Sequence, residues 1–291
     1  MTAEYIINDT VSFFQVAGNG AATALDAITV LPCSDLQVGS WCYNLILDAT
    51  GKIVSDLTIL RMAENDCLLL LPSLAADALF ALLDRALPAD IEVEDHSNAL
   101  IVIERFGGGE QLPGVGTWSK LTSPGGISAI VFARACGCGY ILAESAAEML
   151  ADEFAAGGDV AIDLAGRDAL RITAGRPAFE SEMSPRLSPL EAGLEELIAA
   201  NADRRYPGCL ELQARAPEYR TVRADFDGTR TPRPGSPVKI GGREVGIVTN
   251  AAISRQNTVM AFIRIKANCE VACGVGVLVE TGKTPITGKI V

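Results

Sequence analysis

Histidine and cysteine are the side chains that most often carry nucleophilic or metal-centred chemistry. The chain of 291 residues has one histidine and eight cysteines. A Ser-His-Asp or Cys-His arrangement would therefore have to use His96, which lies in the polar run Glu94-Asp-His-Ser-Asn98 between two predicted strands. We interpret His96 as a surface turn residue, and metal sites built from several histidines are excluded.

The cysteines show no Cys-x-x-Cys spacing of the kind that binds zinc or exchanges thiols. They lie at Cys33, Cys42, Cys67, Cys136, Cys138, Cys209, Cys269 and Cys273. Most of them fit the role of small buried apolar side chains. The pairs Cys136/Cys138 and Cys269/Cys273 leave a metal or redox role open.

Apolar periodicity indicates the elements that would position any functional side chain. In the first half of the chain, strand-like runs surround a helix that follows Pro72 and stops before Pro88. The predicted strands are Val11–Val16, Trp41–Leu47, Ile53–Arg61, Cys67–Leu71, Ile91–Glu94 and Ala99–Arg105. Further on, a strand is predicted at Ile127–Ala133 and helices at Ser145–Phe154 and Pro189–Ala200. This mixture predicts an α+β fold.

The pattern changes after Pro217, where short apolar runs alternate with glycine and proline turns. Strands are predicted at Thr221–Asp225, Pro237–Ile240, Glu244–Thr249, Val259–Lys266 and Gly276–Glu280. Gly241-Gly242 fits a tight hairpin turn. We therefore predict two domains, residues 1–216 with α+β character and an all-β domain at 217–291.

Composition excludes several classes of protein. Apolar residues make up 49% of the chain, and the formal net charge is −12, which disfavours binding to a nucleic-acid backbone. The longest apolar runs are far shorter than the roughly 20 residues that cross a bilayer, so we expect a cytoplasmic protein without membrane contact. Residues 201–243 contain nine basic and five acidic residues, and an anionic ligand or acidic partner would favour this region.

Several motifs, in order along nearly the whole chain, resemble those of the glycine cleavage T-protein superfamily of folate-binding one-carbon transferases. The first two are similar to its strand-Gly-x-Asp-Ala-helix entry and its Tyr-x-x-x-Leu-Asn-x-x-Gly-Gly-x-x-Asp-Asp-Leu segment. The others are similar to Ala-Arg-Asp-x-Leu-Arg-x-Glu-Ala-Gly, Thr-Pro-x-Glu-x-Gly-Leu, Phe-x-Gly and Val-Gly-x-Val-Thr-Ser. The corresponding segments here are Phe14–Ala21, Tyr43–Leu57, Gly166–Gly175, Ser188–Leu194, Tyr206–Gly208 and Val245–Asn250.

The resemblance implies a cloverleaf of two ferredoxin-like α+β domains and a C-terminal β-barrel around a tetrahydrofolate pocket. It also implies a transferase that moves a one-carbon unit from an amine or methylated donor, free or borne on a carrier, to folate. Such chemistry needs no histidine, because the cofactor supplies the nucleophilic nitrogen and one carboxylate can stabilise the developing cation. By position in the motifs, Asp56 is the implied catalytic acid, and Tyr43, Asp56 and Arg171 are the implied folate contacts.

The chain departs from the family pattern at three places. Ser55 replaces the first of the two adjacent aspartates, and Thr173 replaces the glutamate of the Arg-x-Glu-Ala-Gly element. The family's Tyr-Thr-Gly-Glu-x-Gly loop, whose acid holds the pterin, corresponds to residues 134–143, where no glutamate occurs.

These departures leave two alternatives open. The first is an iron-sulfur maintenance factor resembling the YgfZ branch of the superfamily, whose Lys-Gly-Cys-Tyr-x-Gly-Gln-Glu motif is similar to this chain at Gly208, Cys209 and Gln213. In that case Cys209 would have a redox or cluster-related role. The second is a noncatalytic member that binds a ligand or partner.

Overall fold

The computed structural model describes residues 2–107, 113–134, 137–269, 271–281 and 284–291. The chain divides into two compact units. The first unit comprises Met1–Asp48, Val54–Ile162 and Arg204–Pro207, and the second comprises Ala49–Ile53, Asp163–Asp203 and Gly208–Val291. The division at residue 216 remains a prediction.

The first unit contains eleven of the described strands and three of the described helices. In chain order the strands are β1 (Glu4–Asn8), β2 (Val11–Ala17), β3 (Trp41–Leu47), β4 (Ile53–Ala63), β5 (Asp66–Pro72), β6 (Glu92–Asp95), β7 (Leu100–Phe106), β8 (Trp118–Thr122), β9 (Ser128–Arg134), β10 (Gly137–Ala143) and β11 (Val160–Ala161). The helices are α1 (Ala21–Asp26), α2 (Ala76–Ala86) and α3 (Ala147–Ala156).

These strands form two sheets, one with the order β3-β4-β5-β2-β6 and one with the order β11-β1-β7-β10-β9-β8. One face of the first sheet is covered by α1 and α2, since Leu57 and Leu69 share a buried cluster with Leu79. On the other face, Leu60 shares a buried cluster with Phe132 of the second sheet. The two sheets of this unit therefore pack face to face, and burial of their apolar side chains is the main stabilising contribution.

Two tryptophans join the sheets in a reciprocal arrangement, which we call the tryptophan joint. The backbone N–H groups of Trp41 and Trp118 donate to Gly116 O and Gly39 O respectively, both at 2.9 Å. The Trp41 indole donates to Ala133 O at 3.0 Å, and the Trp118 indole donates to Arg61 O at 3.1 Å. Each sheet thus satisfies polar groups at the edge of the other.

The second unit contains a closed β-barrel and three of the described helices. Its helices are α4 (Leu164–Thr173), α5 (Glu195–Ala199) and α6 (Cys209–Ala214). The barrel strands are β12 (Tyr219–Phe226), β13 (Pro237–Ile240), β14 (Arg243–Ile253), β15 (Val259–Lys266), β16 (Gly276–Val279) and β17 (Ile286–Ile290), in the order β12-β15-β14-β13-β16-β17. Its interior is apolar, with Ala224, Val248 and Ile263 fully buried.

Two glycine positions in the barrel have a physical explanation. A Cβ on Gly246 would lie 1.9 Å from the carbonyl oxygen of Arg264, so strands β14 and β15 approach too closely for any side chain there. Gly241 and Gly242 both have positive φ angles and connect β13 to β14, which confirms the predicted hairpin.

The α+β class and the C-terminal barrel are confirmed, whereas one predicted helix is wrong in extent. Of the predicted helix Pro189–Ala200, only Glu195–Ala199 is helical. Gly193 has φ +84°, which interrupts a right-handed helix, and the preceding residues form turns. No helix within the described ranges has the length and apolar character needed to cross a membrane.

Candidate functional site

The hydroxyl of Tyr43 and the carboxylate of Asp56 meet across two neighbouring strands. Tyr43 lies on β3 and Asp56 on β4, and Tyr43 Oη donates to Asp56 Oδ2 at 3.2 Å. Both residues are partly buried, and within the carboxylate Oδ1 is buried while Oδ2 accepts from Tyr43. The structure thus brings together two of the three residues for which the sequence implied folate contact.

The pair lies on the sheet face that packs against the second sheet. Trp41 is two residues before Tyr43, and residues two apart on a strand share a face. The Trp41 ring contacts Phe132 of the second sheet edge-on, with ring centroids 5.7 Å apart. Asp56 is therefore on the face that packs against the second sheet rather than on the helix-covered face.

Ser55 occupies the position of the family's first aspartate and is fully buried. Its hydroxyl donates to the backbone oxygen of Asp56 at 2.7 Å. A carboxylate here would be a buried charge, which is costly without a partner, and serine avoids that cost. Of the two adjacent positions, only Asp56 carries an ionisable group in this chain.

Sequence reasoning missed a polar cluster on the second sheet. Asn8 Nδ2 donates to Glu104 Oε1 at 2.6 Å, and Arg134 Nη1 donates to Glu104 Oε2 at 3.3 Å. The guanidinium of Arg134 also lies 4.7 Å from the centroid of the Phe132 ring. A glutamate inside the apolar run Leu100–Phe106 could have indicated this cluster. A charged side chain in a buried strand requires a partner. Cys136, next to this cluster in the sequence, lies outside the described residues.

Arg171 belongs to the second unit, where internal partners hold its guanidinium. Nε donates to Asp168 Oδ1 at 2.5 Å, and Nη1 donates to Glu182 Oε2 at 2.7 Å. Nη2 is buried and has no hydrogen-bond partner within the described part of the chain. Asn250 of β14 donates to Asp168 Oδ2 at 2.9 Å, so the same network ties α4 to the barrel. The predicted contact of Arg171 with folate remains a prediction.

Glu182 is the centre of this network and is fully buried. Its other oxygen, Oε1, accepts from Thr249 Oγ1 at 2.9 Å. Arg264 donates from Nη2 to the backbone oxygen of Glu182 at 3.0 Å, and burial lowers the pKa of Arg264 although the charge of Glu182 opposes the shift. The charged hydrogen bond from Arg171 and the nearby positive charge of Arg264 offset part of the cost of burying this carboxylate.

The Ser188–Leu194 motif forms a capping arrangement around Glu191. Glu191 Oε2 accepts from the N–H and the hydroxyl of Ser188 at 2.8 and 2.9 Å, and from Lys52 Nζ at 3.1 Å. Burial alone would raise the pKa of Glu191, but the hydrogen bonds from Ser188 and Lys52 outweigh it and lower the pKa. This Ser-x-x-Glu spacing was a readable signal of a capping box.

Cys209 is the first residue of α6 and is buried, with 5% of its surface exposed. Gly208 precedes it with a positive φ, and Gln213 donates to the backbone oxygen of Ala202 at 3.1 Å. Among the described residues, no group of three or more His, Cys, Asp or Glu side chains could hold a metal ion. A redox or cluster-related role for Cys209 remains a prediction.

Two packed sheets with a Tyr-Asp pair on the inner face, together with a separate six-stranded barrel, define the class of α+β proteins with the T-protein fold. The GCVT N-terminal domain model matches residues 6–107. The chain is 29% identical to an aminomethyltransferase of Streptomyces avermitilis, over 93% of this chain and 80% of that protein. It is 26% identical to an aminomethyltransferase of Corynebacterium jeikeium, over 94% of this chain and 81% of that protein.

A solved structure shows the same fold over nearly the full length. The glycine cleavage system aminomethyltransferase T from Bartonella henselae superimposes with a TM-score of 0.85 at 19% identity, over 99% of this chain and 85% of that one. The chain thus resembles aminomethyltransferases in sequence and shares the fold of a glycine cleavage system aminomethyltransferase.

Proposed function

We propose that the protein is a tetrahydrofolate-dependent one-carbon transferase of the aminomethyltransferase type. The single observation that carries the chemistry is the Asp56 carboxylate, held by Tyr43 on the inner face of the sheet. Sequence similarity supports the reaction class, because two relatives that align over more than nine-tenths of the chain are aminomethyltransferases.

Asp56 would act by charge and by proton transfer. As a one-carbon unit leaves an amine or methylated donor, positive charge develops at the donor carbon, and a nearby carboxylate stabilises it. The Tyr43 hydroxyl fixes one carboxylate oxygen, so that the other is oriented without a reorganisation cost during the reaction. A half-buried carboxylate can also accept a proton from the attacking amine.

The residues present fit a folate, which would supply the nucleophilic nitrogen when bound. Tyr43 and Asp56 present an aromatic ring and a carboxylate together, the pair of groups that suits a flat, hydrogen-bonding heterocycle. Arg171 is included because of its position in the Gly166–Gly175 motif. On these grounds we retain Tyr43, Asp56 and Arg171 as proposed folate contacts.

The donor is proposed to be a small amine or methylated compound, free or borne on a carrier, and the location to be cytoplasmic. The iron-sulfur maintenance role ranks second, because it depends on Cys209, whose buried thiol offers little surface to a cluster or an oxidant.

Calorimetry with reduced folates tests the proposal directly. The full chain should bind tetrahydrofolate, and Asp56→Ala and Arg171→Ala should weaken the binding. Incubation with folate and aminomethyl or methylated donors should then give turnover. If no reduced folate binds, the proposed function is rejected. If folate binds but Cys209→Ser affects only iron-sulfur enzymes, the second role is favoured.

A further inference from the structure

A cavity of about 290 Å³ lies entirely within the second unit, on the outer face of the barrel. Arg223 of β12 pairs in register with Phe262 of β15, and both line the cavity. Gly175 and Gly193, which belong to two of the motifs found in the sequence, also line it. Neither glycine projects a side chain, so the space stays open.

Arg223 has no carboxylate partner among the described residues. Its Nη1 donates to the backbone oxygen of Thr173 at 2.8 Å, and its Nε is buried without a hydrogen-bond partner there. Thr173 stands where the family pattern has a glutamate, so this position offers Arg223 a carbonyl but no negative charge. A guanidinium in this state favours an incoming carboxylate, which it can bind through two N–H groups.

Glu195 of α5 lines the same cavity and makes no ion pair within the described part of the chain. Arg223 and Glu195 therefore place opposite charges on one small cavity without pairing with each other. A ligand with a single charge would satisfy only one of them. A zwitterion would satisfy both.

We propose that this cavity binds a small α-amino acid in its zwitterionic form, with the carboxylate on Arg223 and the ammonium group on Glu195. The volume lies at the lower end of the range for ligand cavities, which is roughly 300–1,000 Å³, and so selects a ligand of few heavy atoms. Phe262 and Pro177 give the cavity an apolar wall, which suits a hydrogen or methyl substituent. The site is independent of the proposed folate chemistry.

Calorimetry or ligand-observed NMR with glycine, on the full chain without folate, tests the proposal. Glycine should bind saturably, whereas acetate and methylammonium, which each carry one of its charges, should bind more weakly. Arg223→Gln and Glu195→Gln should each weaken glycine binding by about tenfold or more, as expected for a lost charged hydrogen bond. The matched controls Arg186→Gln and Glu196→Gln change the same charges on exposed residues outside the cavity and should leave binding unchanged.

Thr173→Glu provides a variant that does not remove any cavity side chain. It adds a negative charge at the residue whose backbone oxygen binds Arg223, so glycine binding should fall while thermal stability is retained. The proposal is overturned if glycine does not bind, if acetate binds as tightly as glycine, or if Glu195→Gln has no effect. Because folate is absent from the assay, none of these outcomes depends on the transferase function.

Discussion

The Tyr43 hydroxyl donates a hydrogen bond to the Asp56 carboxylate at 3.2 Å, from one strand to its neighbour. The bond joins an aromatic donor and an acid that are 13 positions apart in the chain. It orients the carboxylate on the inner face of the sheet, where the proposed chemistry needs it.

Removing the Asp56 charge should abolish most of the transferase activity. For Asp56→Asn we expect kcat to fall by about 100-fold or more, because a carboxylate that stabilises charge or moves a proton typically contributes that much. Tyr43→Phe should reduce kcat by a smaller factor, since the acid remains but loses its orienting bond. Steady-state kinetics with folate and donor measure both effects. The exposed Asp84→Asn serves as a charge-matched control, and equal rates for Asp84→Asn and Asp56→Asn would contradict the assignment.

Restoring the family's first aspartate should not restore a catalytic group. Ser55 is fully buried, so Ser55→Asp would place a carboxylate without a ready partner in the interior. We expect the free energy of unfolding to fall by about 3 kcal/mol or more. Chemical denaturation measures this loss, with Ser55→Ala as the control for the missing hydroxyl. A stable Ser55→Asp protein with raised kcat would instead show that position 55 is the working one.

The capping arrangement of Glu191 should make stability depend on pH. Its pKa is lowered in the folded protein, so the stabilisation is present above the ordinary glutamate pKa and is lost as the pH falls through the folded value. Glu191→Gln should lower the free energy of unfolding at pH 7 by about 1–2 kcal/mol. The gap between the two proteins should narrow below about pH 4. Urea denaturation between pH 3 and 7 measures the gap, and a constant difference would refute the linkage.

The thiols of Cys33, Cys42 and Cys67 should be unreactive in the native state. Burial raises the pKa of Cys42 and of Cys67 to about 11, and it raises the pKa of Cys33 further. The thiolate, which is the reactive form, is therefore scarce at neutral pH. Cys273 is exposed. Cys273→Ser should therefore remove one thiol that reacts rapidly with a disulfide reagent. Rapid labelling of Cys42 or Cys67, identified by mass spectrometry, would contradict the burial.

The tryptophan joint should contribute measurably to stability. Trp41→Phe and Trp118→Phe each delete one indole donor, and Ala133 O and Arg61 O keep only their backbone bonds from Gly116 and Gly39. Each should cost about 1–3 kcal/mol, including lost packing. Thermal denaturation of the two variants and of Phe80→Leu, on a half-exposed position of α2, provides the comparison. Losses no larger than that of the control would argue against the joint.

The sequence was informative wherever one local pattern determined an element. The apolar runs Trp41–Leu47 and Val259–Lys266 are strands with those same bounds. Gly137–Ala143 is a central strand that the pattern missed, because two glycines and a cysteine lower its β-propensity and only pairing with both neighbours stabilises it. Helix α4 was missed as well, since its amphipathic face becomes visible only once the barrel packs against it.

The candidate site was likewise predictable from the sequence only in part. The motif placed Tyr43 and Asp56 correctly on adjacent strands, but no local pattern could show that Glu182 lies against Arg171, or that Arg223 and Glu195 share a cavity. These contacts depend on how the chain returns to the barrel after long loops. The repeat Val38-Gly-Ser-Trp41 and Val115-Gly-Thr-Trp118 was present in the sequence and would have revealed the tryptophan joint.

The repeated tryptophans limit where the first unit can be truncated. Since Gly39 and Gly116 each accept from the tryptophan of the opposite sheet, a fragment ending before Gly116 would lose the acceptor for the Trp41 backbone N–H and the cover of its aromatic face. The two sheets of the first unit should therefore melt in one transition.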